Sequence, residues 1–283
     1  MITVRDTVTP RGDIPGVGHC TDGRGNVEPR RWTYRKTAMN NLPEDLHNVA
    51  DEGFTFRQEG PCPYFSDGRM STVEFVFPRD DEVEGFHDFL ARGYRRLGRL
   101  FYRNVCGQCW ACLPMRVEAG AFRLSKSQKR SLRANSEVRV EVVPSSITGQ
   151  KARLYRSYLS SKHGKGTTSD PSEQAMALSM MHHGYPRILE MDYLVGDRLV
   201  GVGIVDIGAD AVSSNYFYYD TSCSERRLGV FSVLQEINLC RLLGKKYYYL
   251  GFCIEETDSM SYKRFVRPNS VLREGTWQDY MKG

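Results

Sequence analysis

The period of apolar and polar alternation changes several times along the chain, and those changes mark its elements. Residues 54–77 alternate on either side of a turn rich in Pro, Gly and Asp, which predicts two strands with Cys62 in the turn. In residues 84–103, Phe86, Phe89, Leu90, Leu97 and Leu100 fall at helical spacing. Arg92, Arg95, Arg96, Arg99 and Arg103 follow at i, i+3, i+4, i+7 and i+11, so the expectation is a helix with one apolar and one basic face. Residues 125–137 repeat the device, with Lys126, Lys129, Arg130 and Arg133 behind Ser125 as cap. Val138, Val140 and Val142 then alternate as a strand does, until Pro144.

Beyond Pro144 the segments KARLYRSYLSSKH and SEQAMALSMMHHG read as helices. RILEMDYLV, RLVGVGIVDIG and AVSSNYFYYD read as strands, the first two joined by a turn at Gly196-Asp197. A helix follows with Val230, Val233, Leu234 and Ile237 on one stripe and Gly244 just past its end, and KYYYLGFCI is the last long strand. This order is α+β, and it is the order of a GNAT-type acyltransferase fold. Three sections are expected. Residues 1–45, with Pro10, Pro15 and Pro29 and little periodicity, read as an extended or mobile lead-in; 46–144 as a smaller cysteine-containing α+β domain; and 145–283 as the GNAT-like domain.

Composition narrows the function classes. At 283 residues, 40% hydrophobic and 26% charged, the chain is an ordinary globular protein, and no apolar run is long enough to span a membrane. The first twenty residues lack the apolar core of a signal peptide, so the expectation is a cytoplasmic, reducing location in which the eight cysteines are thiols or metal ligands rather than disulfides. The net charge of +5 is unevenly placed: residues 92–133 hold eleven Arg or Lys against Glu118 alone, a local +10 that leaves −5 for the rest. Such a concentration suits a polyanion partner, because neutralised phosphates release condensed counterions.

Cys106, Cys109 and Cys112 are spaced C-x-x-C-x-x-C. Three thiols need a fourth ligand to complete a zinc site or an iron–sulfur cluster, and Cys62 could supply it; buried thiols are the equal alternative. The aromatic run Tyr216, Phe217, Tyr218 and Tyr219 alternates faces along one strand, so half of it could stack a terminal adenine and half face the core.

GYRRLGRLFYRNVCGQCWACLPMRV, SKSQKRSLRAN, YYYLGFCI and SYKRFVRP, in that order, resemble the arginyl- and leucyl-tRNA–protein transferase family, and PCPYFSDGR resembles its bacterial aspartate/glutamate leucyltransferase branch. The likeness runs over residues 54–279. It departs from the family at KHGKG, residues 162–166, and at Thr257, Asp258, Ser259 and Met260. The resemblance implies an enzyme that moves Leu, or Arg, from charged tRNA to the N-terminal amine of proteins starting with Asp or Glu and marks them for degradation, with aminoacyl-tRNA and a protein N-terminus as partners and neither membrane nor DNA. Because the aminoacyl ester is already activated, no cofactor is required for transfer.

Within that reading Asp220, Tyr219 and His163 are the expected catalytic groups, Asp220 orienting or deprotonating the incoming amine. Arg226, Arg227, Lys263 and Tyr262 are the expected acceptor-binding residues, since an acidic acceptor side chain needs a cation in reach. Arg95, Arg96, Arg99, Arg103, Lys126, Lys129, Arg130 and Arg133 are the expected tRNA contacts. One rival is a CoA-dependent acetyltransferase, against which Phe231 stands where a pyrophosphate loop needs Gly or Ala. The other is a non-catalytic RNA-binding module with a metal–thiolate knuckle.

Overall fold

The computed structural model describes residues 2–4, 20–21, 27–28, 53–79, 86–163 and 170–280. In chain order the elements are β1 (Ile2–Val4), β2 (Cys20–Thr21), β3 (Val27–Glu28), β4 (Phe54–Pro61), β5 (Met70–Phe77), α1 (Phe86–Ala91), β6 (Arg95–Leu97), β7 (Leu100–Asn104) and β8 (Leu113–Glu118). They continue with α2 (Lys126–Ala134), β9 (Val138–Pro144), α3 (Gly149–His163), α4 (Pro171–His182), β10 (Ile188–Val195), β11 (Arg198–Ile207) and β12 (Ala211–Tyr219). A 3-10 turn (Thr221–Arg226) leads into α5 (Leu228–Leu242), β13 (Tyr247–Cys253), α6 (Asp258–Ser261), a second 3-10 turn (Tyr262–Phe265), β14 (Ser270–Arg273) and β15 (Thr276–Asp279).

The mixed α+β architecture centres on a nine-stranded sheet in the order β1-β9-β10-β11-β12-β13-β8-β14-β15, beside a four-stranded antiparallel sheet, β4-β5-β7-β6. β9 to β12 form an antiparallel meander. Gly196, at φ 58, occupies the two-residue turn expected between β10 and β11. β8 and β9 both belong to the large sheet, so the sheet runs across the boundary expected at residue 144. Of the expected lead-in, Ile2–Val4 pairs in parallel with β9, and most of residues 1–45 lie outside the described residues.

Parallel β12 and β13 pair only at Ala211↔Tyr247, Val212↔Tyr248 and Ser213↔Tyr249. Past Ser213, β12 continues on β11, while past Tyr249 β13 continues on β8. Two strands that keep their outer partners and lose each other must separate, and this fork frames the candidate site. Apolar side chains cover both faces of the sheet, α5 contributing Leu228, Phe231, Leu234 and Ile237 to one layer and α3 and α4 contributing Tyr155, Leu159, Leu178 and Met181 to the other.

The basic helix expected over residues 84–103 is not formed. Helix α1 stops at Ala91, and β6 and β7 make a hairpin with Leu97 opposite Leu100. Gly93 (φ 84) and Gly98 (φ 63) adopt a left-handed backbone that side chains disfavour. A Cβ on Gly93 would meet Leu272 at 2.8 Å and Pro114 at 3.0 Å, so the helix breaks where only glycine fits. The arginine spacing of three and four was compatible with a helix; the glycines override it. On a strand, Arg95 and Arg96 project to opposite sides.

Candidate active site

Ser213 is the last residue of β12 paired to β13, and Arg95 Nη1 donates to its Oγ at 2.9 Å. The Arg95 guanidinium lies against Gly251, where a Cβ would come within 3.4 Å of it. One residue further along β13, the carbonyl of Phe252 accepts from Lys263 Nζ at 2.9 Å, and Met260 Sδ lies 3.3 Å from the same nitrogen. Two cations from distant parts of the chain therefore meet β13 at consecutive residues on one arm of the fork. Burial, aided by the charge of Arg95, lowers the Lys263 amine to about 7. Beneath the fork, Glu236 of α5 is fully buried and accepts from the Tyr248 hydroxyl at 2.8 Å. Its burial raises the carboxyl to about 7.

Tyr262, an expected acceptor contact, packs at the same place. Burial first, then the charge of Glu236, push its hydroxyl up. Tyr219, expected to be catalytic, stacks on Phe217 at 5.4 Å and lies 5.2 Å from the Tyr158 ring. Of the aromatic run, Tyr218 is wholly buried against Tyr155 while Tyr216, Phe217 and Tyr219 are half-buried. The structure thus brings Lys263, Tyr262, Tyr219 and Arg95 into one neighbourhood.

It does not bring Asp220 there as a free base. Asp220 caps the 3-10 turn, Oδ1 accepting from Ser222 N at 2.9 Å and Ser222 Oγ at 2.6 Å, and Oδ2 pairs with Arg198. The hydrogen bond from Ser222, helped by Arg198, holds its carboxyl below the usual carboxylate range. One oxygen serves the turn and the other Arg198, so neither is free to accept a proton from an amine. Asp220→Ala should cost about 1 kcal/mol of stability, the usual value of an N-cap, and leave the transfer rate unchanged; urea unfolding beside an activity assay checks both. Arg226 pairs with Glu137, and Arg227 sits in the left-handed region at φ 53 where α5 begins. The side chain of His163, at the end of α3, lies outside the described residues.

The expected tRNA contacts divide. On α2, whose Ser125–Gln128 capping box is complete, Lys126, Lys129, Arg130 and Arg133 are all exposed. None of them is in an ion pair among the described residues. Gln128 ties α2 to the Lys263 segment by donating to Phe265 O at 3.1 Å, so the basic helix flanks the fork. Arg96 leaves this set: its side chain has no exposure and is bound to Asp206, so it can reach no phosphate. Arg95 points into the fork rather than outward, and Arg103 is engaged with Glu74. Arg99 is half-buried over the Phe77 ring.

Cys62, Cys106, Cys109 and Cys112 line one cavity of about 600 Å³ beside the fork. Arg69 Nη1 reaches Cys109 Sγ at 3.5 Å, and Thr72 N donates to Cys106 Sγ at 3.4 Å. Burial and the neighbouring sulfurs push the Cys112 thiol up to about 12. Among the described residues no group of three or more His, Cys, Asp or Glu side chains is gathered closely enough to hold a metal ion. Phe231, which stands where a pyrophosphate loop needs Gly or Ala, is 3% exposed and packs in the core 6.0 Å from the Tyr193 ring.

Glu236 was missed in the sequence although a signal was present: it is an acid within the apolar segment LGVFSVLQEINLCRL. The fork position of Arg95 had no local signal, because its partner Ser213 lies 118 residues away.

Residues 60–130 match the family described as "Arginine-tRNA-protein transferase, N terminus" and residues 150–273 match "Arginine-tRNA-protein transferase, C terminus". The "Aspartate/glutamate leucyltransferase" of Alkalilimnicola ehrlichii is 36% identical over 77% of this chain and 92% of its own. That of Pseudoalteromonas atlantica is 33% identical over 80% and 96%. Among solved structures, FemX superposes with a TM-score of 0.43 at 8% identity, covering 81% of this chain and 88% of that one, too loosely to assign a fold family. No helix among the described residues is long and apolar enough to cross a membrane.

Proposed function

This chain belongs to the arginine-tRNA-protein transferase family, and from that premise we propose that it transfers leucine from charged tRNA to the N-terminal amine of proteins beginning with Asp or Glu. The observation that carries the reading is the match of both family regions together with relatives named leucyltransferases that this chain spans almost entirely. Leucine is favoured over arginine as donor by those relatives. We place the reaction in the cytoplasm, where it marks its acceptors for degradation.

The forked sheet supports a GNAT-type reading of the catalytic half, in which ester and amine meet between separated strands. The ester needs no further activation. The acceptor nitrogen forms a bond to the ester carbonyl carbon, the bond from that carbon to the ribose oxygen breaks, and the proton shed by the amine ends on the ribose oxygen. What the protein supplies is position. Arg95 and the charged form of Lys263 hold the acceptor's side-chain carboxylate at the fork, which places its α-amine beside the ester; Glu236 beneath them offsets part of the cationic charge. No cofactor takes part in these steps.

The decisive assay supplies Leu-tRNA and Arg-tRNA separately with peptides starting with Asp, Glu or Ala, and reads products by mass spectrometry. Addition of one leucine to the acidic peptides alone is expected; folded protein that modifies none of them from either tRNA would refute the reading. The exposed face of α2 is assigned to the tRNA backbone. Reversing Arg130→Glu and Arg133→Glu together should lower the slope of log affinity against log salt by about two, since each phosphate contact contributes about 0.9. Binding measured between low and moderate salt tests this, and an unchanged slope removes α2 from the interface.

A further inference from the structure

The cavity that the four cysteines line is larger than a set of packed thiols requires. At about 600 Å³ it has room for an organic ligand, and it opens beside the fork because Phe252, whose carbonyl holds Lys263, is part of its wall. Trp110, in the middle of the cysteine run, lines it with 77% of its surface exposed. An indole left open to solvent at the rim of a cavity contributes nothing to the core, and it offers a flat apolar face to a ligand.

The charge of the cavity is predominantly positive, with Arg69, Arg92, Arg103 and Arg273 in the lining against Glu274. Arg92 lies 4.9 Å from the Phe89 ring and 5.7 Å from the Tyr94 ring, and its Nε donates to the carbonyl of Asp88 at 3.3 Å. No acid among the described residues neutralises it. Arg103 and Arg57 share the single carboxylate of Glu74, which leaves a unit of positive charge. Arg69 is paired with Asp67 and lies 4.0 Å over the Phe65 ring. The lining thus combines aromatic faces with guanidinium groups in excess of acids, the combination that single-stranded nucleic acid selects: bases stack, and phosphates are neutralised.

We infer that this cavity binds the unpaired 3′-terminal nucleotides of the aminoacyl-tRNA, with a base stacked on Trp110 and backbone phosphates at Arg92 and Arg103, so that the terminal ribose and its ester reach the fork past Phe252. The inference rests on the proposed transfer from charged tRNA and adds the subsite that guides the ester. An acidic peptide would use the cations, but it would leave the exposed indole without a purpose.

The test titrates the wild-type protein with the 5′-phosphorylated trinucleotide cytidylyl-cytidylyl-adenosine while following tryptophan emission, and measures KM for charged tRNA and for an Asp-initiated peptide separately. Binding should change the emission in the wild type and not in Trp110→Phe. Trp110→Ala and Arg92→Glu should each raise KM for charged tRNA roughly tenfold, as loss of one stacked base or phosphate contact does, and leave KM for the peptide unchanged. Both residues are solvent-exposed, so the variants are expected to fold. Unmoved emission, or an unchanged KM for charged tRNA, overturns the inference; a rise confined to the peptide KM overturns it by assigning the cavity to the acceptor. Transfer by the wild type from Leu-tRNA is read independently, so failure of the subsite and failure of the transferase reading are distinguishable.

Discussion

Lys263→Met is expected to lower kcat/KM for Asp- and Glu-initiated peptides by two to three orders of magnitude while the fold survives. Removing one member of a desolvated charge-to-carboxylate contact costs about 2–5 kcal/mol, and each 1.36 kcal/mol is tenfold in rate. Methionine keeps most of the stem volume, so thermal unfolding should shift little. The same site fixes a pH dependence. Burial lowers the Lys263 amine to about 7, so in the free enzyme it is mainly charged below that pH and mainly neutral above it. A carboxylate is recognised by the charged form, and acceptor affinity therefore falls as pH rises through about 7. The attacking α-amine titrates near about 7.7–8 and becomes more reactive in the opposite direction. Their product is a narrow bell in kcat/KM between roughly pH 7 and 8. In Lys263→Arg the cation no longer titrates, and the alkaline limb should disappear, leaving a rise that levels off. Initial rates across pH 6–9 on both proteins decide the matter; an alkaline limb that persists in Lys263→Arg would mean that another group carries it.

Where a residue's neighbours in sequence determine its structure, the pattern was readable. The alternation of Val138, Val140 and Val142, the Gly196-Asp197 turn, the Ser125 cap and the Gly244 stop all appear where period and turn chemistry put them. Residues 92–103 misled because arginines three and four apart satisfy a helix, while Gly93 and Gly98 were the stronger signal for a break and a hairpin. The basic face of α2 was legible, since exposure of a polar stripe is a local property. The fork was not, because it arises when β12 and β13, separated by α5, stop pairing after three residues. Asp220 shows the converse: the serine two residues on that makes it a cap is a local feature, and the carboxylate caps the turn through Ser222.

Arg96→Met is expected to be among the most destabilising single substitutions in the protein, by about 3–5 kcal/mol, a large part of the roughly 5–15 kcal/mol that holds a domain folded. The Arg96 side chain has no solvent exposure and that of Asp206 only 1%. Nε donates to Asp206 Oδ1 at 2.9 Å, Nη1 to the carbonyls of Gly98 and His183 at 3.0 and 2.8 Å, and Nη2 to that of Met181 at 2.8 Å. The substitution leaves a buried carboxylate whose partner among the described residues is Asn215 at 2.8 Å, and it deprives the carbonyls at the end of α4 of their donor. Urea unfolding should show a midpoint lower by about 1 M or more, given a slope of roughly 3 kcal/mol per molar for a chain of this size. Arg96→Met with Asp206→Leu should recover part of the loss, because removing both charges removes the unpaired one; no recovery would mean that the α4 carbonyls, not the ion pair, dominate. The consequence for function follows from the strand. β6 carries Arg95 and Arg96 on opposite sides, so the guanidinium that locks β6 to β11 and to the end of α4 also fixes the backbone that presents its neighbour to the fork. Arg96→Met protein that remains folded at low temperature should therefore show a raised KM for acidic acceptors, a loss of position transmitted through one peptide bond.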